Sequence, residues 1–113
     1  KNLRKRQARD PGWKMRIQLP RKIEVDQPVI CRFKVTDKSG QPVQPDSITF
    51  YAYRPSDKTA DFSTLMKEVE PGIYEAEVSF PLLGAWDSLV SVKKGEDEFN
   101  TPKRIGVGID WVP

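Results

Sequence analysis

Three sulfur-bearing side chains are the first candidates for chemistry in this chain: Met15, Met66 and the lone Cys31. Thioether and thiolate are soft ligands that select Cu(I), and a thiolate is also a nucleophile. Histidine, the commonest metal ligand and general base, is absent from all 113 residues. Met15 and Cys31 fall on the inward phase of alternating runs, which makes them core fillers. Met66 falls on the phase opposite Leu65 and Val69, which places it at the surface.

Other reactive groups fare no better. A serine or cysteine nucleophile needs a base beside it, and no lysine or carboxylate is singled out for that task. Paired carboxylates do acid–base work on glycosides. Here Asp37, Asp46, Asp57, Asp61, Glu68, Glu70, Glu96, Asp97 and Glu98 fall mostly on expected turns and outer faces, where they solvate a small protein. Asp37, Asp57 and Asp61 offer oxygens for a rim Ca²⁺ site, but their spacing matches no calcium loop. Gly40, Gly72, Gly84 and Gly95 each lie at an expected turn, so no phosphate-cradling loop exists. The chain therefore reads as a non-enzyme with no cofactor.

The elements that position these residues have period two. Trp13, Met15, Ile17 and Leu19 alternate with polar residues up to Pro20, and Ile23 and Val25 are expected to run on along a sheet edge. Val29 to Val35 alternates again. Residues 47–54 are β-branched and aromatic, with Ile48, Phe50 and Ala52 on one face and Tyr51 and Tyr53 on the other. Pro55 to Ser63 reads as a polar loop, Leu65 to Val69 as a short strand, and Tyr74 to Phe80 as a strand with one wet face. Trp86 to Val92 and residues 98–109 complete the set, the last interrupted by Pro102 and given its inner face by Ile105, Val107 and Ile109. About seven short strands with turns roughly every ten residues predict an all-β, immunoglobulin-like Greek-key β-sandwich.

Charge is unevenly placed. Residues 1–22 hold nine basic residues against Asp10 alone, while the other 91 carry ten basic and fifteen acidic groups. A nucleic-acid-binding domain carries its basic patch on the folded body among stacking aromatics, so nucleic acid is not the expected partner. Residues 1–11 read as a basic arm or linker and 12–113 as the sandwich domain. A solvated tail, a contact with anionic headgroups and an acidic partner all suit such an arm. One cysteine permits no intrachain disulfide, and no run reaches the ~20 apolar residues of a membrane span. A first residue that is not Met, followed at once by basic residues, suggests a piece of something longer, with a targeting or anchoring segment before it.

Several features in order resemble a known family. Trp13 opens the first strand after a basic lead-in. The phrase VTDKSGQPVQPDSITFYAYRPSDKTADF (35–62) joins two strands to an Arg54-Pro55-Ser56-Asp57 loop. VEPGIYEAEVSFPLLGAWDSLVSVKKGEDEF (69–99) follows, with its PG-x-Y strand and G-x-W-D. This order is similar to the FixH-like proteins, also called CcoH, and more distantly to YtkA-like copper-associated domains, over about residues 12–107. The resemblance implies a short cytoplasmic start, one membrane helix and an extracytoplasmic immunoglobulin-like domain. It also implies a role in assembling cbb3-type cytochrome c oxidase, beside a copper-transporting ATPase and an iron–sulfur membrane protein. Residues 1–10 then become a juxtamembrane arm on the periplasmic side of a bacterial inner membrane.

The leading expectation is a membrane-tethered periplasmic assembly factor acting by protein contact on membrane-protein partners. Its expected contact surface is the loop Arg54 to Phe62 with Tyr51 and Tyr53, namely Tyr51, Tyr53, Arg54, Asp57 and Phe62, because exposed aromatics and arginine favour interface hot spots. A copper carrier or sensor using Met15, Met66 or Cys31, and a generic immunoglobulin-like adhesion module, are the alternatives.

Overall fold

A computed structural model describes residues 12–55 and 57–108, with Asp57 and Lys58 described by their backbone alone. The expected arm at 1–11 and the expected inner-face residue Ile109 lie outside the described residues. Those described form eight strands: β1 (Lys14–Gln18), β2 (Val29–Thr36), β3 (Ser47–Arg54), β4 (Asp57–Leu65), β5 (Lys67–Glu70), β6 (Ile73–Val78), β7 (Gly84–Lys94) and β8 (Asp97–Val107). All pair antiparallel, in two four-stranded sheets ordered β1-β2-β6-β5 and β4-β3-β7-β8. The chain changes sheet after β2, β4 and β6, which makes the connections of a Greek-key sandwich.

The alternation works as expected in the central strands. Cys31, Phe33 and Val35 from β2 and Tyr74, Ala76 and Val78 from β6 face Ile48, Phe50 and Ala52 from β3 and Trp86, Val90 and Val92 from β7. At one end of this core Phe50, Phe62, Phe80 and Trp86 pack edge to face or tilted, with centroids 5.2 to 6.5 Å apart, a geometry that the ring quadrupoles favour.

Three expectations change. The polar loop of residues 55–63 is for the most part strand β4. Ala60, Phe62 and Thr64 are half-buried while Asp61, Ser63 and Leu65 are exposed, a true alternation that small Ala60 and polar Thr64 on either side of Phe62 do not announce. The expected strand at 65–69 is divided, because Leu65 ends β4, Met66 carries the chain between sheets and β5 follows. Met66 is consequently buried, its amide donating to the Ile48 carbonyl at 2.9 Å, and Leu65 and Val69 are the exposed residues. This reverses the expected surface position of Met66.

Ile23 and Val25 form no strand. Ile23 is a buried plug in the β1–β2 connection, and its carbonyl accepts from the Gly108 amide at 2.6 Å. Pro102 does not interrupt β8, which keeps an unbroken register with β7 from Asp97 to Val107. Proline is tolerated there because β8 is an edge strand, whose outward side has no ladder to complete.

Candidate interaction face

Tyr51 and Tyr53 stand on the outer face of the second sheet because Phe50 and Ala52 occupy the inner one. They are 38% and 39% exposed. Since β3 lies between β4 and β7, both tyrosines are carried on a strand paired on both sides. Such backbone is among the least mobile in a sandwich, so the rings are presented rather than floppy.

Register shows what surrounds them. Tyr51 is opposite Ser63 on one side and Leu89 on the other, and Leu89 is opposite Pro102. Tyr53 is opposite Asp87, which is opposite Arg104. Arg104 Nε donates to Asp87 Oδ1 at 3.1 Å. The result is an apolar band, Tyr51-Leu89-Pro102, bordered by an ion pair, with a depression of about 340 Å³ between Tyr53, Pro102 and Arg104. An aromatic and aliphatic centre with a charged rim is the composition of a protein contact surface.

Arg54 and Phe62 lie elsewhere. Arg54 ends β3 and turns across the sandwich end. Its guanidinium donates to the Leu83 carbonyl and its Cζ sits 5.8 Å from the centre of the Trp86 ring. Its Nε is buried with no partner among the described residues. Phe62 is opposite Ala52 and half-buried, its ring 5.5 Å from Phe80 and 5.9 Å from Trp86. Asp57 pairs in register with Arg54, and its side chain lies outside the described residues. Thus, among the expected contact residues whose side chains are described, the two tyrosines share the outer face. Leu89, Pro102, Asp87 and Arg104 went unnoticed in the sequence because they join the tyrosines only through pairing between distant strands.

The sulfur residues do not converge. Met15 lies on β1 and Met66 where β4 passes to β5, and β1 and β5 are opposite edges of one sheet, roughly 14 Å apart at ordinary strand spacing. Met15 Sδ accepts from Thr101 Oγ1 at 3.7 Å. Cys31 is buried in the core, and desolvation pushes its thiol up to about 12 despite the opposing field of Lys103. These residues do not fit a shared copper site. Among the described residues no group of three or more His, Cys, Asp or Glu is placed to hold a metal ion, and no helix is long and apolar enough to cross a membrane.

The architecture is that of an immunoglobulin- or filamin-like sandwich, and solved structures share it. The chain is similar to the Lin-41 filamin domain (TM-score 0.59, 12% identity, 85% of this chain and 91% of that one). It is also similar to an engineered protein (0.60, 11%, 85% and 20%) and to the endo-β-1,4-mannanase from Thermotoga petrophila (0.57, 12%, 83% and 20%). The chain spans only about a fifth of the last two, and at these identities the likeness is one of fold. No curated protein matches it significantly. The family model FixH matches residues 1–106, and the chain belongs to the FixH family. Membership implies a role in the assembly of cbb3-type cytochrome c oxidase, in a family of generally non-catalytic assembly proteins.

Proposed function

We propose that this chain is the periplasmic sandwich of a membrane-tethered factor that promotes cbb3-type oxidase maturation by protein contact, without catalysis. Residues 1–11 serve as its juxtamembrane linker and 12–113 as its binding domain. Its partners are membrane proteins of the oxidase assembly machinery, and the contact is made by the outer face of β3, β7 and β8 around Tyr51 and Tyr53.

One observation carries this reading: two large aromatic side chains stand exposed on a doubly paired central strand beside Leu89 and Pro102. Tyrosines held this way contribute much contact area with little rotamer entropy to lose. Arg54 and Phe62 support the surface from behind by fixing the sandwich end on which β3 terminates. Deletion of the gene, followed by a measure of assembled, active cbb3-type oxidase, tests the role. Loss of the oxidase is expected, and full assembly in the deletion strain contradicts it.

A further inference from the structure

The outer face of the first sheet is divided by charge. β1 and β2 present Lys14, Arg16 and Lys34, all exposed, whereas β6 presents Glu75 and Glu77. Arg32 Nη2 meets Glu75 Oε2 at the boundary between the two halves. Arg16 and Lys34 are direct cross-strand partners, an arrangement that works against the sheet because like charges opposite one another repel. Neither they nor Lys14 form an ion pair with another described residue. The three line a shallow groove of about 600 Å³ together with Thr36 and with half-buried Trp13 and Met15, whose side chains pack inward against Phe99 and Thr101. Just upstream in sequence, residues 1–11 add five cations against Asp10.

We infer that the β1–β2 half of this face is a docking surface for an anionic lipid bilayer. The inference rests on the membrane-tethered reading given above. A bilayer fits this surface because the three cations, unpaired with any other described residue, lie on one sheet face. β1, which carries two of them, follows directly in sequence on the five cations of residues 1–11, so an extended anionic surface can meet them together. Each Lys or Arg held near such a surface strengthens binding about fivefold. Glu75 and Glu77 are repelled by the same surface, so the domain tips onto its β1 edge. The tyrosine face, on the opposite side of the sandwich, then points away from the lipid and toward a partner.

The test is cosedimentation of the 113-residue chain with phosphatidylglycerol–phosphatidylcholine vesicles and with phosphatidylcholine alone. Binding is expected to the anionic vesicles only and to fall steeply with salt. The K14Q/R16Q/K34Q variant, with its N-terminal residues intact, should bind on the order of a hundredfold more weakly. K34Q alone should bind about fivefold more weakly, and an unchanged thermal transition confirms that both variants are folded. Equal binding by the triple variant and the unaltered chain overturns the inference, since the upstream residues then do all the work. Binding to soluble polyglutamate but not to vesicles also overturns it, in favour of an acidic protein partner. The gene-deletion experiment reads oxidase and this one reads lipid, so either reading can fail without the other.

Discussion

Arg54 lies over Trp86, its guanidinium carbon 5.8 Å from the ring centre, and the two side chains bond neighbouring carbonyls: Arg54 that of Leu83, Trp86 Nε1 that of Leu82 at 2.9 Å. The exposed Leu82–Leu83 turn is therefore clamped from below by two residues on different strands. Gly84, which follows it, has φ +116°, and a Cβ added there would meet the guanidinium at 3.6 Å.

Removal of this clamp should cost stability and loosen the turn. Arg54→Ala loses the cation–π contact and a charged hydrogen bond, about 2 kcal/mol together. Arg54→Met should cost less, because it keeps an aliphatic cover and removes the unpartnered Nε. Chemical denaturation gives the energies, and amide exchange across 82–84 should accelerate in both variants. Stabilities of both variants equal to that of the unaltered protein would show that the clamp contributes nothing.

Two glycines with nearly equal φ make a controlled pair. A Cβ on Gly72 would meet the Val35 carbonyl at 3.0 Å and Pro42 Cβ at 3.3 Å, whereas one on Gly40 meets nothing within 4 Å. Both pay the left-handed penalty of about 1 to 2 kcal/mol. Gly72→Ala must in addition push apart the pairing of Val35 and Gly72, whose amide–carbonyl bond is 2.9 Å. Its midpoint in urea should fall clearly below that of Gly40→Ala.

The buried thiol predicts an alkaline limit. Cys31 holds its proton up to about 12 when folded, against its ordinary value of about 9 when unfolded. The unfolded chain therefore binds fewer protons over this interval, and stability declines as pH rises from about 9 toward 12, by at most about 4 kcal/mol. Tyr74, raised by burial and by Glu68, acts in the same direction. Cys31→Ala should flatten the decline while lowering stability at pH 7, and native protein at pH 8 should resist thiol alkylation until it is unfolded.

The Arg16–Lys34 pair separates stability from lipid binding. Lys34→Glu replaces a repulsive cross-strand pair by an attractive one, and at low salt it should stabilise the fold by about 0.2 to 1 kcal/mol. The same change should weaken binding to anionic vesicles. A variant that loses both stability and binding would indicate that Lys34 has a structural role.

Much of this was legible in the residues. β1, β2, β3, β6 and β7 are written as plain alternations, because one face of each is buried and the other wet. β4 was not, since Ala60 and Thr64 are weak markers of an inner face and Pro55 and Asp57 look like turn residues. Met66 eluded the same test because its direction is set by a change of sheet rather than by strand phase. For the contact surface, local phase was enough to send Tyr51 and Tyr53 outward. It could not show that Arg54 folds back onto Trp86, that Phe62 enters the aromatic cluster, or that Leu89 and Pro102 complete the tyrosine row. Those facts depend on register between strands tens of residues apart.

The central claim, that the tyrosine face makes the productive contact, is tested most directly by complementation of the gene-deletion strain with a Tyr51→Ser, Tyr53→Ser double variant. Both rings lie outside the core, so the variant should keep its thermal transition within a few degrees of the unaltered protein. The account predicts that it reaches normal levels in the cell yet restores little or no assembled cbb3-type oxidase. Full restoration of the oxidase by this folded variant would contradict it.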